Sequence, residues 1–392
     1  MKKKSSIKNP LTKHRKLVKI SSSRPTILNL SRKSDITKLE KLLKGGEVRH
    51  IRDQYKQQLE ELFAINNPPL VFTSHFKKDF ESYYKQLVAD VPEWQQGRWV
   101  FFPWISTLVH ILEDENFQRV RTARNRNLIT EEEQKKFYDA TVGIAGLSIG
   151  NSAALAIALQ GGARKMKLAD FDTFDLSNLN RIRAGVTELG LRKTDMTARQ
   201  IYEINPYATV EICKDGLTEN NIEGFFRGLN VVVDEIDNLA TKYLIRKYAH
   251  RFNIPVVMAI DNGENSIIDV ERYDLPDKPS FFHGRLGRIK MDQLQSLNKR
   301  EIGLMIVKHI GPENLPPRVW SSFEEMGKTL PSWPQLGGVA LLNGSAVAYA
   351  IRKIATGQSV VSDRAIINID TILDPLSPPV APKRDPTCNE YE

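Results

Sequence analysis

A glycine-rich turn and a nearby carboxylate are the first residues in this chain whose types and spacing could do chemistry. Gly146-Leu147-Ser148-Ile149-Gly150 puts small residues where a backbone can come close to a ligand. With a strand before it and a helix after it, such a turn offers free N–H groups and a positive dipole end to a phosphate. Asp170 falls where the following strand would end, and a carboxylate there can accept hydrogen bonds from ribose hydroxyls. These residues leave NAD, FAD and ATP all open as ligands. Cys213 and Cys388 are the whole cysteine complement, too few for a disulfide framework or a Cys-based metal cage.

The elements that must hold this turn can be read on both sides of it. Thr141–Ala145 reads as a short buried strand, and residues 151–160 have helical periodicity ended by Gly161-Gly162. Strand patterns recur at Lys165–Ala169, Thr209–Cys213, 230–234 and 254–260. Helical patterns lie between them at Lys193–Ile204, 219–227 and 239–251. Asn205-Pro206 stops the first of these helices. Alternation of this kind predicts an α/β fold, a Rossmann-like doubly wound sheet, mostly parallel, with helices on both faces. Beyond about residue 274 frequent prolines mark loops and segments that could cover a substrate. Residues 336–354 read as one more helix, small and apolar enough to pack closely on the sheet or on a second subunit.

Three stretches in this order narrow the ligand. Asp170-Phe171-Asp172-Thr173-Phe174-Asp175-Leu176-Ser177-Asn178-Leu179-Asn180-Arg181 resembles the D-x-D-x-[VF]-x-x-S-N-L-x-R signature of the E1/ThiF adenylyltransferases. Gly190-Leu191-Arg192-Lys193 is similar to that family's G-x-x-K, and Asp234-Glu235-Ile236-Asp237-Asn238 to its D-x-x-D-N. The resemblance covers residues 140–260 and implies ATP and Mg²⁺ as cofactors. It implies that Asp170 takes the ribose, with Gly146, Ser148, Gly150 and Asp172 near the nucleotide. Asn178 and Arg181 would contact phosphates, Lys193 would stabilise the transition state, and Asp237 would coordinate Mg²⁺, with Asn238 starting the next helix. Upstream, Arg121-Thr122-Ala123-Arg124 resembles an arginine-rich entry segment, which implies that Arg124 reaches the phosphates of a partner subunit.

The implied reaction is activation of a carboxylate or similar acyl oxygen as an acyl-adenylate. The implied substrate is the C-terminus of a small carrier protein or a small-molecule acid, and the implied assembly is a homodimer. Without paired C-x-x-C motifs the structural zinc of many relatives is not expected. Cys213 falls on an expected interior strand and Cys388 near the terminus, so adenylation without a cysteine thioester is the expected chemistry. A catalytically silent binding partner, an NAD-dependent oxidoreductase and a tRNA-directed activating enzyme are the alternatives. The oxidoreductase leaves Arg181, Lys193 and Asp237 without a role.

Composition bounds the rest. The chain has 392 residues, a formal net charge of +9, and no apolar run long enough to span a membrane. A cytoplasmic protein is expected, because no continuous apolar segment follows the basic start. Much of the charge sits in residues 1–35, read as a basic disordered tail in which nucleic-acid binding is possible but not favoured. Residues 36–128 read as a mainly helical, aromatic-rich region, 129–375 as the adenylation domain and 376–392 as a C-terminal tail. The aromatics of 97–104 read as packing, and His110, in an apolar run, as a structural histidine.

Overall fold

The computed structural model describes residues 22–373, and the chain divides between Val120 and Arg121 into two units. The first contains β1 (Thr26–Leu28), α1 (Lys33–Lys44), β2 (His50–Asp53), α2 (Tyr55–Asn66) and α3 (Phe76–Asp90). β3 (Arg98–Phe102) and β4 (Thr107–Ile111) follow, and α4 (Asp114–Arg121) runs up to the division. The strands form a four-stranded sheet in the order β1-β3-β4-β2, with only the β2–β4 pair parallel.

Helical periodicity alone did not reveal this sheet. The aromatic run is its buried strand β3, and residues 26–28, expected in the basic tail, pair with it at the edge. The remainder of that tail, residues 1–21, lies outside the described residues, as do the expected C-terminal tail and Cys388. His110 is fully buried and stacked between Tyr55 and Trp99 at 4.1 and 4.3 Å. Its ring nitrogens lie 3.0 Å from Asp53 Oδ1 and 2.9 Å from the Gln96 carbonyl, the surroundings of a structural histidine.

In the second unit α5 (Glu131–Asp139) precedes β5 (Thr141–Ala145), α6 (Ile149–Leu159), β6 (Lys165–Ala169), α7 (Lys193–Ile204) and β7 (Thr209–Cys213). Then come α8 (Ile222–Phe226), β8 (Val231–Asp234), α9 (Leu239–Phe252), β9 (Val256–Asn262) and β10 (Asn265–Glu271). The sheet order is β11-β10-β9-β8-β5-β6-β7, where β11 is Arg364–Ile367; β7 through β9 are parallel, and β10 and β11 antiparallel. This is the expected doubly wound α/β sheet. Val232, Val256 and Ala145 pack against Phe225 and Phe226 of α8 and Ile245 of α9.

α6 packs against α13 (Gly337–Ala355). Gly344 makes that approach possible, since a Cβ there would lie 2.6 Å from the Ser152 carbonyl carbon. Between β10 and α13, where prolines pointed to loops, the chain forms α10 (Met291–Ser296), α11 (Lys299–Ile310) and α12 (Pro317–Glu325). Val307, Ile310 and Val319 bury Ile267 of β10, so the prolines begin helical segments as well as interrupt them. Cys213, expected on an interior strand, lies on the edge strand β7 and is half-buried. Burial raises its thiol pKa above the ordinary value. Among the described residues no helix is long and apolar enough to cross a membrane.

Candidate functional site

The sheet order reverses between β5 and β8: β6 and β7 extend from one side, β9 from the other. Such a switch point leaves a crevice at the strands' carboxyl ends, because the connecting loops diverge there. Two turns meet in it. The first begins at Gly146, whose φ of 85° favours glycine and whose Cβ would lie 2.2 Å from the Glu235 carbonyl oxygen. Leu147 N–H donates to Asp170 Oδ2 at 2.7 Å, and Asp172 N–H to Asp170 Oδ1 at 2.8 Å. Asp170 therefore clamps the β5–α6 turn to the loop after β6. Burial raises its pKa against these hydrogen bonds and the charge of Lys193.

The second turn follows β8. Asp234 is fully buried and pairs with Arg246 and with Lys242, the latter at 3.3 Å, while its Oδ1 accepts the Ile236 N–H. Burial alone would raise the Asp234 pKa, but Lys242 and Arg246 together hold it below the usual carboxylate value. Arg246, also fully buried, pairs at 2.8 Å with Glu271, which in turn accepts from Tyr273 Oη and the Phe282 N–H. This network fixes the backbone from which Asp237 projects. Asn238 caps α9, its Oδ1 accepting from the Thr241 N–H at 2.9 Å.

Between the turns lies a cavity of about 200 Å³ lined by Ser148, Asp172, Thr173, Asp175, Asn178, Arg181, Lys193, Asp237 and Gln335. Six of these were expected from the motifs: Ser148, Asp172, Asn178, Arg181, Lys193 and Asp237. Lys193 is the first residue of α7, and its Nζ pairs with Asp172 Oδ2 at 2.7 Å. Arg181 Nε donates to Ser148 Oγ at 2.9 Å, tying the glycine turn to the signature loop. Asn178 accepts the Asp175 N–H at 3.0 Å and holds that loop's 3₁₀ turn. Two cations and several acceptors in so small a volume suit the charged end of a ligand more than an apolar one.

Other expected site residues fall elsewhere. Gly146 and Gly150 shape the turn without lining the cavity, and the Asp170 oxygens are both engaged by backbone N–H groups, each with a lone pair to spare. Arg124 is exposed on a short turn that Asn125 ties to the Gln160 carbonyl, just past the C-terminal end of α6. The cavity is at the other end of that helix, roughly 16 Å away by helical rise, so the chain does not bring its own Arg124 to it. Thr173 and Asp175 were missed although they stand inside the signature. Gln335 and the buried Arg246 carried no local signal, because a distant loop and a core-facing arginine obey no spacing rule.

Among the described residues no group of three His, Cys, Asp or Glu side chains could hold a metal unaided. Mg²⁺ does not require one, since it commonly takes one or two carboxylates together with substrate phosphates. Asp237 is exposed and lines the cavity, so it fits that role.

Residues 122–266 match the ThiF family. An uncharacterised protein of Mycobacterium tuberculosis (strain CDC 1551 / Oshkosh) is 35% identical over 81% of this chain, which spans 45% of that protein. The tRNA threonylcarbamoyladenosine dehydratase of Bacillus subtilis (strain 168) is 30% identical over 40% of this chain and 61% of its own length. A probable molybdopterin-synthase adenylyltransferase of Porphyra purpurea is 33% identical over 29% of this chain and 30% of its own. The chain thus covers less than two thirds of each of these relatives. The three motifs, the doubly wound sheet and the matched segment agree: residues 122–266 are a ThiF family domain.

Proposed function

We propose that the chain is an ATP- and Mg²⁺-dependent adenylyltransferase that activates a carboxylate or similar acyl oxygen. The observation that carries this reading is the meeting of Ser148, Asn178, Arg181, Lys193 and Asp237 around one polar cavity at the switch point of the sheet. A carboxylate oxygen of the substrate attacks the α-phosphorus of ATP. A new P–O bond forms there as the bond to the bridging oxygen breaks, and pyrophosphate leaves. Mg²⁺ held by Asp237 and phosphate oxygens would offset the charge of the leaving group. Arg181 and Lys193 stabilise the negative charge that gathers on the α-phosphate, where preorganised donors have most effect. Asp172 keeps the Lys193 ammonium in place, and Ser148 does the same for the Arg181 guanidinium.

The substrate is the C-terminal carboxylate of a small protein or a small-molecule acid, and catalysis needs no cysteine thioester. The protein acts as a homodimer, in which Arg124 of one chain could serve the site of its partner. Leu341 and Tyr349, two turns apart on α13, are about half exposed and give such a dimer an apolar patch.

Calorimetric titration with Mg·ATP, beside NAD and beside Asp237→Ala, tests the reading. Wild-type protein is expected to bind Mg·ATP and not NAD, and the variant to bind Mg·ATP about tenfold or more weakly, the loss of one charged contact. Binding of NAD alone would establish the oxidoreductase instead, and binding of neither the silent partner.

A further inference from the structure

Among the described residues, Gln335 is the one cavity-lining residue that comes from beyond β8 and its motif, in the loop that leads into α13. The loop is held closely against the signature: Asn180 Nδ2 donates to the Gln335 carbonyl at 2.7 Å. Two residues on, a Cβ at Gly337 would lie 2.3 Å from the Asn180 carbonyl oxygen. The Gln335 side chain is just as fixed. Its Nε2 donates to Asp261 Oδ2 at 2.9 Å, Asn343 Nδ2 donates to Asp261 Oδ1 at 2.6 Å, and the Ser266 hydroxyl donates to Asn343 Oδ1.

The two ends of an amide differ only in what they bond, so partners decide which way it points. Asp261 is 4% exposed at the end of β9. Burial pushes its carboxyl up to about 6, opposed by Gln335, Arg181 and Asn343 and aided by Asp237. At neutral pH it is ionised and can only accept. Gln335 must therefore turn its N–H toward Asp261, leaving its amide oxygen for the cavity.

We propose that Gln335 is a specificity-determining residue whose amide oxygen accepts an N–H of the acyl substrate, with buried Asp261 as the positioning residue that sets this polarity. An acceptor at this wall disfavours the lone pairs of a second carboxylate or an ester oxygen and favours a donor beside the carboxylate being activated. That is the pattern of an N-acyl amino acid or a peptide C-terminus. The inference rests on the adenylation reading, and its test separates the two.

Calorimetry would compare Mg·ATP with two non-hydrolysable adenylate analogues, N-acetylglycyl-sulfamoyl adenosine and its N-acetylsarcosyl counterpart, in which N–CH₃ replaces N–H. Wild-type protein is expected to prefer the N–H analogue by about fivefold, the effect of one hydrogen bond. Gln335→Ala should bind the two equally. Asp261→Asn keeps the shape but lets Gln335 reverse, so it should also lose the preference, and it serves if Gln335→Ala does not fold. Equal binding or no binding of the analogues by wild-type protein overturns the proposal, as does a preference that survives in either variant. Mg·ATP binding in the same wild-type sample keeps the adenylation reading in those cases, and its absence removes both.

Discussion

At the scale of single residues, the cavity depends on charges that are paired but not neutralised. Lys193 is nearly buried while its partner Asp172 is about half exposed, so the pair holds the ammonium in place without removing it from the cavity. Lys193→Ala is expected to lower the rate of adenylate formation by about 10²–10³-fold, the usual cost of losing one preorganised donor. Its stability should fall by only about 1 kcal/mol, since Asp172 can return to solvent. Pyrophosphate exchange beside a thermal melt would separate the two effects, and undiminished exchange would exclude the role. Most of these residues were legible in the sequence because the signature is local. Asp170 was legible as a residue and not as a contact: its oxygens hold two backbone N–H groups that no motif announces.

At the scale of elements, β10 and β11 extend the parallel sheet and are joined to α11 by one buried carboxylate. Arg364 pairs with both oxygens of Asp269 at 2.7 Å, and His309 Nε2 lies 2.8 Å from Oδ2. Burial works to raise the Asp269 pKa, but hydrogen bonds from Arg364 and His309 hold it well below the ordinary 3.8. Because the folded-state value is depressed, the stabilisation is complete above the unfolded value near 4 and is lost as pH falls toward the folded one. Asp269→Asn should cost about 3–5 kcal/mol at pH 7, as breaking a buried pair does. In denaturant melts the gap to wild type should narrow below pH 4; a constant gap would show that the charge contributes nothing. This clasp escaped the sequence reading because its three residues come from β10, α11 and β11. The neighbouring helices were missed because proline was read only as a breaker, whereas Pro317 occupies the first turn of α12.

At the scale of the whole molecule, the doubly wound sheet puts the β5 and β8 turns side by side, and the proposed homodimer would cover the half-exposed Leu341 and Tyr349. Light scattering at micromolar concentration is expected to give twice the mass of one chain, and Leu341→Asp to return it to the single mass. A wild-type monomer would remove both the dimer and the role of Arg124 in a partner's site. By itself, the sequence determined the α/β alternation, the glycine turn and the three motifs, because each depends on residues within a few positions of one another. Strand and helix periods, turn chemistry and a family signature are all properties of short segments. Only the tertiary structure decided that Gln335 joins the cavity, that Asp261 orients it, that Arg246 is buried against Glu271, and that Arg124 lies at the far end of α6. Those relations join segments tens to more than a hundred residues apart, and they exist only once burial has removed the water that would otherwise satisfy each group.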